Sequence, residues 1–321
     1  MLCVIISNHL LMKKIAFGFP LLLAVLPHPA QANEAVANSS LHLLAQSDIQ
    51  LAKERLLIER DRINADYLFV NPTAQDIIVP VVFPMPPLSF SDVNEVGEDY
   101  IPGIRNIKIR VDGQIVTPQP RWTVVLNAPQ EEITDKLQQA GWTVEQLIAA
   151  LSDGEFSPPV DLPALPPEWF KDNQPQFTIQ RNFVWQQTFP AGKAVTIHQV
   201  YTPSVSLSAL MSTDELDDDN TCPTAENRQQ IQQALDQLMA TQGPAGALGQ
   251  NRMDVVLTGD PAWKEGDIGE FTLRLHGDAI TTCFQPPLTR INATTLEFKQ
   301  KNFRPAENLA VTFYSLSSMY E

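Results

Sequence analysis

Short segments of alternating or continuous apolar side chains, separated by turn residues, recur along most of this chain. In the first half they occupy residues 41–44, 49–58, 63–70, 76–83, 107–111 and 122–126. In the second half they lie at residues 177, 184–185, 189, 195–201, 253–257, 271–275, 295–298 and 309–314. Such segments are typical of strands, and the chain's 26 prolines favour the connections between them. The pattern predicts a mainly β fold, built as an antiparallel β-sandwich.

Two stretches depart from the strand period. Residues 131–151 predict two short helices hinged near Gly141, with one apolar face formed by Ile133, Leu137, Val144, Leu147, Ile148 and Leu151. The proline-dense residues 157–175 then predict an extended connector. A second helical region is expected at 225–239, ended by Gly243 and with a buried face of Ile231, Leu235, Leu238 and Met239. These helices are expected to decorate the sandwich as an insertion and a separate short helix.

The beginning of the chain has the features of an export signal. Lys13 and Lys14 precede an apolar run at 15–26, and Ala30-Gln31-Ala32 follows as a small-residue cleavage site. We predict a signal peptide over residues 1–32, with translation starting at Met12, and a periplasmic protein with no stable membrane span after cleavage. The alternative is a longer, uncleaved anchor, against which the polar interruptions of the run argue.

The remaining residues divide into three regions by pattern. We expect an N-terminal β region at 33–127, a helical insertion with its proline-rich connector at 128–175, and a C-terminal β region with one helix at 176–321. The alternative is that the two β regions form one continuous sandwich.

Charge and cysteine content restrict the environment and the partners. The formal net charge of −15 becomes −17 without Lys13 and Lys14, which excludes nucleic acid as a partner. Cys222 and Cys283 are the two cysteines outside the leader, and an oxidising compartment predicts a disulfide between them, worth about 4 kcal/mol in the chain-entropy model. The alternative is two unrelated buried thiols.

Several ordered motifs resemble those of an exported bacterial family known only as DUF4424. They are Asp48-Ile49, Glu59, Tyr67-x-Phe69-x-Asn71, Asp76, Phe83-Pro84-Met85-Pro86, Phe189-Pro190-Ala191-Gly192-Lys193, Tyr201-Thr202-Pro203-Ser204, Leu257-Thr258-Gly259, Trp263-Lys264, Ile268-Gly269-x-Phe271, Cys283, Asn302-Phe303-x-Pro305 and Leu309. Ser39-Ser40 replaces an expected Gly-Gly. The two Phe-Pro elements also resemble the halves of the vault/inter-alpha-trypsin type of β-sandwich. The resemblance implies an exported β protein and assigns no reaction.

The residues that carry chemistry give few candidates. No Gly-x-Ser-x-Gly pentad occurs, and His42, His198 and His276 are too far apart in sequence to form a local ligand pair, so no metal or cofactor is predicted. Trp169 and Trp263 are candidate surface contacts for a ligand. A weak candidate cation loop contains Asp214, Glu215, Asp217, Asp218 and Asp219, although EF-hand spacing is absent and a solvated acidic loop is favoured.

These observations favour a non-catalytic interaction or envelope-associated module with an unknown protein or glycan partner in the cell envelope. The alternative function is an envelope hydrolase that acts on glycan through paired carboxylates. That alternative predicts a deep cleft holding two close acidic side chains, at least one with a raised pKa. A third hypothesis, calcium-dependent folding or binding, depends on the acidic loop.

Overall fold

Strands dominate the fold. The structure is a computed structural model that describes residues 37–38, 41–43, 48–85, 87, 104–151, 156–172, 174–217, 221–243, 246–257, 266–285, 287–306 and 308–318. The predicted leader, Trp263, Asp218 and Asp219 lie outside the described residues. Within these ranges every strand pairing is antiparallel except two. The prediction of a mainly β, antiparallel fold is therefore confirmed.

Twenty strands and three α-helices are described. The strands are β1 (Ala37–Asn38), β2 (His42–Leu43), β3 (Gln50–Glu59), β4 (Arg62–Val70), β5 (Ile77–Pro84), β6 (Arg105–Val111), β7 (Gln114–Val116), β8 (Gln119–Leu126), β9 (Glu131–Glu132), β10 (Phe170–Lys171), β11 (Gln174–Pro175), β12 (Phe177–Phe189), β13 (Ala194–Thr202), β14 (Ser206–Leu210), β15 (Leu248–Val255), β16 (Ile268–His276), β17 (Ala279–Thr282), β18 (Thr289–Asn292), β19 (Thr295–Phe303) and β20 (Leu309–Ser318). The helices are α1 (Thr134–Gln139), α2 (Val144–Ala150) and α3 (Ala225–Gln242).

Three larger sheets organise these strands. An eight-stranded sheet has the order β18-β19-β16-β3-β4-β13-β6-β7. One five-stranded sheet has the order β2-β5-β12-β8-β9, and the other has the order β1-β15-β20-β17 with β14 also paired to β15. Strands β12 and β13 follow the helical insertion, yet they pair with β5, β8, β4 and β6, which precede it.

The main core lies between the inner face of the eight-stranded sheet and strands of the two five-stranded sheets. Its buried side chains include Ile58 and Phe271 from the former, Phe83 from β5, and Met253 and Phe313 from β15 and β20. Apolar side chains alternate with exposed ones along β4 and β13, as expected for strands with one face in the core. The layers therefore pack as a sandwich.

The helical insertion has a core of its own against β8 and the start of β12. Helices α1 and α2 follow one another across Gly141, whose positive φ of 84° suits the turn between them. Trp142 is buried there and donates its indole N–H to the carbonyl of Pro163 in the proline-rich segment, at 2.8 Å. The predicted helices and their apolar face are confirmed, with Ile148 only partly buried.

The third helix covers one edge of the β15–β20 sheet. Thr224 caps α3 in a capping box with Asn227, and the buried Asn227 also donates to the carbonyl of Ile280 on β17 at 2.9 Å. The predicted helix is confirmed with its end at Gln242. Met239 was predicted to be buried and is 46% exposed, because the buried face is formed by Ile231, Ala234, Leu235 and Leu238.

Three adjacent strands share one irregular position. Between the paired residues Leu51 and Lys53, strand β3 contains one residue more than its partner β4. On the neighbouring strand β16, Gly269 lies level with this extra residue, Ala52. On β19, the next strand, Asn302 lies level with Gly269. A Cβ on Gly269 would lie 2.6 Å from the Ala52 carbonyl oxygen, so only glycine fits there. This β-bulge reverses the alternation of side chains, and the buried positions change from Leu51 to Glu54, Leu56 and Ile58.

Candidate functional site

The outer face of the eight-stranded sheet carries a broad groove. The groove has a volume of about 1020 Å³ and lies across β3, β4, β16, β18 and β19. A second hollow of about 660 Å³ lies over β4, β6 and β13, and Asn64 lines both. Because these side chains come from rigid paired strands, their spacing is fixed by the sheet. We call the two hollows together the outer groove.

The charge of the outer groove is opposite to that of the whole chain. Among its described lining residues only Glu59, Asp66 and Glu270 are acidic, against eight basic residues: Lys53, Arg55, Arg62, Lys108, Arg110, Arg274, Lys299 and Lys301. The chain as a whole contains 37 acidic and 22 basic residues. The sheet therefore concentrates cations on one face of an acidic protein.

Part of this charge is neutralised locally. Lys53 Nζ lies 2.8 Å from Glu270 Oε2, and this hydrogen bond is the main reason that the pKa of Glu270 is lowered. Glu297 contacts both Lys299, at 2.7 Å, and Arg274, at 2.8 Å, and its pKa is also lowered, chiefly by the hydrogen bond from Lys299. These carboxylates are held in the charged form, which is the opposite of what a general acid requires.

The hollow over β4, β6 and β13 differs, because none of its three cations forms an ion pair with a described residue, whereas three of the five cations in the larger hollow do. The side chains of Arg62, Lys108 and Arg110 are exposed and form no hydrogen bond or ion pair with any described residue, and no carboxylate is among the described residues that line this hollow. Asn64, Asn106 and Thr202 add amide and hydroxyl groups. At its margin His198 Nδ1 lies 2.6 Å from Asp66 Oδ1. We call Arg62, Lys108 and Arg110 the cationic triad.

The inner face of the same sheet buries a carboxyl group. Glu54 is 6% exposed, and burial raises its pKa from 4.5 to about 7. It pairs in register with Tyr67 on β4 and Phe271 on β16. Burial and the nearby Glu54 also raise the pKa of Tyr67 and Tyr201. In the same face Gln199 is fully buried, and neither of its amide atoms has a hydrogen-bond partner among the described residues. Sequence analysis missed this polar group because its strand reads as a regular apolar segment.

The predicted site residues do not come together. Trp169, proposed as a surface contact, is only 4% exposed and packs in the core of the helical insertion with Leu165 and Phe177. The prediction for Trp169 was wrong because the proline-rich segment folds back onto the helix pair, where the carbonyl of Pro163 accepts the indole N–H of Trp142. Trp263, the other candidate surface contact, lies outside the described residues.

The acidic loop is only partly described. Asp214 and Asp217 lie in a 3₁₀ turn, Thr213–Asp217, whereas Asp218 and Asp219 fall outside the described residues. Glu215 accepts hydrogen bonds from the backbone N–H groups of Met211 and Ser212, at 3.2 and 3.0 Å, and so closes this turn. In the part of the chain that the structure describes, no group of three or more acidic, histidine or cysteine side chains is placed to hold a metal ion.

The predicted disulfide is present. Cys222 and Cys283 are bonded, with Cα atoms 5.0 Å apart, and join the start of α3 to the segment after β17. Disulfides of this kind persist in oxidising compartments. None of the helices in the described ranges combines the length and apolar character that a membrane crossing needs.

Comparison with solved structures gives distant likenesses. A protein from Legionella pneumophila subsp. pneumophila str. Philadelphia 1, provisionally named a nutrient binding protein, is 12% identical, with a TM-score of 0.44 over 86% of this chain and 70% of that one. The M1 zinc metallopeptidase of Deinococcus radiodurans is 10% identical, with a TM-score of 0.28 over 84% of this chain and 43% of the peptidase. This chain thus spans less than half of the peptidase, and neither likeness identifies a function. No curated protein matches the chain.

The family comparison covers much more. The sequence model of the family described as "Domain of unknown function (DUF4424)" matches residues 31–312, which include every strand of the three large sheets except the last residues of β20. The resemblance inferred from the ordered motifs is therefore confirmed, and the chain belongs to the DUF4424 family.

Proposed function

We propose that this chain is an exported, non-catalytic binding module of the bacterial cell envelope, and that its partner lies in the outer groove. The observation that carries the proposal is the larger hollow of the outer groove, which has a volume of about 1020 Å³ on a rigid sheet. Binding residues presented by strands need little ordering when a ligand arrives, which favours recognition.

Export is supported by two features. The bonded Cys222 and Cys283 suit an oxidising compartment, and the sequence before residue 33 has the features of a cleavable signal. We place the protein in the periplasm, where a disulfide forms and persists.

The hydrolase alternative requires a carboxyl group of raised pKa inside a cleft. The described carboxyl groups with raised pKa are Glu54 and Asp254. Glu54 belongs to the inner face of the sheet, and Asp254 lies on β15 in another sheet. Glu270, which does line the groove, has a lowered pKa. These positions favour binding over acid catalysis.

The test places a photo-crosslinking amino acid, p-benzoylphenylalanine, in the groove in living cells. Thr272 lines the groove, and Lys171 on the β10–β11 hairpin is an exposed control outside it. We expect a covalent adduct from Thr272 and none from Lys171, identified by mass spectrometry. Equal adducts at both positions, or none at Thr272, would contradict the proposal. Release of new reducing ends from isolated envelope glycan by the purified protein would instead support the hydrolase.

A further inference from the structure

We propose that the ligand of the outer groove is an anionic glycan, an extended polyhydroxylated chain carrying carboxylate or phosphate groups, and that the cationic triad binds those groups. This inference rests on the proposed function, because it names the ligand class of the same surface.

The local charge of the outer groove favours an anionic ligand. Basic side chains outnumber acidic ones in the groove of a chain whose formal net charge is −15. A local positive patch on an otherwise acidic surface attracts anions to that patch and repels them elsewhere. An anionic ligand is therefore directed to the groove.

The cations of the outer groove differ in whether a carboxylate already pairs with them. Lys53, Arg274 and Lys299 are already paired with carboxylates, whereas the cationic triad has no anionic partner among the described residues. Arginine presents a planar set of donors that matches both carboxylate and phosphate. The donors of the whole triad therefore remain available, whereas most cations of the larger hollow are already paired.

The charged side chains of the outer groove are spaced along and across the strands at distances that suit a long ligand. Lys108 and Arg110 are two residues apart on one strand, which separates their Cα atoms by about 7 Å. Arg62 lies on β4, about 10 Å from β6 across β13, and about two residues along the sheet from Lys108, because Ile63 pairs with Tyr201 and Lys108 pairs with Val200. Pairing register also aligns a row across six strands, about 24 Å long, made of Lys299, Thr272, Arg55, Asp66, His198 and Arg110. Such a row suits a long ligand with repeated charges.

The chemistry between the cations favours a glycan over a protein. Amide and hydroxyl groups of Asn64, Asn106 and Thr202 alternate with the charges and can hydrogen-bond sugar hydroxyls. Protein interfaces concentrate their affinity in buried Trp, Tyr and Arg anchors. The aromatic residues among the described lining, Phe271 and Tyr201, are buried in the core. An aromatic-poor, polar and cationic surface fits an acidic sugar chain.

The experiment measures binding of defined oligomers to the purified full chain by isothermal titration calorimetry. The acidic probes are an oligogalacturonate, which carries carboxylates, and a phosphorylated oligomannose, and the neutral probe is an oligogalactan of equal length. We expect at least one acidic probe to bind, with affinity falling as salt rises, because exposed ionic contacts are screened. The triple variant Arg62→Gln, Lys108→Gln, Arg110→Gln should bind that probe with an affinity about tenfold lower than that of the native chain.

A matched triple variant changes the net charge by the same amount as the triad variant, at positions outside the groove. Arg121, Lys171 and Arg304 are exposed cations that do not line the groove, and their replacement by Gln should leave binding unchanged. Circular dichroism and the urea midpoint confirm that both triple variants fold. Equal loss of binding in both variants would overturn the assignment of the triad. Equal binding of the neutral oligomer, tighter binding of poly-glutamate, or binding of neither acidic probe would overturn the ligand class.

Failure of this inference is distinguishable from failure of the proposed function. If the Thr272 adduct forms in cells and persists in the triad variant, the groove binds a partner but the triad does not select it. If the native chain gives no adduct at Thr272, the proposed function itself fails.

Discussion

The two faces of the eight-stranded sheet use the same strands for opposite purposes. On the inner face, Leu56, Ile58 and Phe271 are buried in the main core, with Glu54 as a single carboxyl group among them. On the outer face, charged side chains at the alternating positions remain hydrated, and several have no partner among the described residues. Stability therefore depends on the inner face, which leaves the outer face available for recognition.

The largest effect is expected from Phe271→Ala on the inner face. The Phe271 ring stacks on Phe303, with centroids 4.5 Å apart, and is fully buried. Removing a buried aromatic ring leaves a cavity, and we expect a loss of about 3–5 kcal/mol in the free energy of unfolding, measured by urea denaturation. The neighbouring outer-face variant Thr272→Ala should change it by about 0.5 kcal/mol or less. Similar losses in both variants would remove the distinction between the faces.

The second effect concerns the pH dependence caused by Glu54. Its pKa is about 7 in the folded chain against 4.5 as an ordinary carboxyl group, so the unfolded state releases this proton first. Stability therefore falls as pH rises from about 4.5 to 7, and the full cost, about 3 kcal/mol at most, is present at pH 8. Glu54→Gln removes this cost. We expect the variant to match the native chain near pH 4 and to be more stable at pH 8.

Urea denaturation at both pH values checks this expectation. Thr272→Ala, which replaces no titratable group, is the control and should keep the native pH dependence. A native chain whose stability does not decline between pH 4.5 and 7 would show that Glu54 is better solvated than its burial indicates.

A smaller loss in the free energy of unfolding is expected from a substitution at the β-bulge. Gly269→Ala places a methyl group against the Ala52 carbonyl oxygen, only 2.6 Å away. Such overpacking costs about 1–3 kcal/mol. Thermal denaturation should show a lower midpoint than that of Thr272→Ala, and an unchanged midpoint would mean that the strands separate at no cost.

The smallest effect is expected from the outer ion pair. Lys53→Gln breaks the contact with Glu270, whose side chain is half-exposed, so the urea midpoint should stay within experimental error of the native value at both low and high salt. A salt-dependent loss of stability would indicate that the outer charges contribute to folding as well as to recognition.

Much of the fold was predictable from local patterns. The helices at 134–150 and the strands of β4 and β13 follow from apolar periodicity, because their buried positions repeat without interruption. The short strands β7, β14 and β18 were not predicted, because their side chains are mostly exposed and so lack an apolar period. The disulfide followed from the number of cysteines and the compartment.

The candidate site was much less predictable. The cations of the outer groove are far apart in sequence, from Lys53 to Lys301, and only the strand order brings them to one face. Trp169 was misassigned because composition does not reveal that a proline-rich segment packs against a neighbouring helix pair. Glu54 had one available signal. Apolar residues at the odd positions Ile49 and Leu51 are followed by even positions Leu56 and Ile58, which indicates an extra residue between them.

The shared irregularity at Ala52, Gly269 and Asn302 has a consequence for how this surface tolerates change in chain length. Deleting Ala52 alone would let β3 pair with β4 without a bulge, because Leu51 pairs with Phe69 and Lys53 with Leu68, but it would put β3 one residue out of step with β16. Restoring the alignment would require matching deletions in all three strands. The alignment of the groove's cations across β3, β16 and β19 therefore depends on chain length at all three positions together.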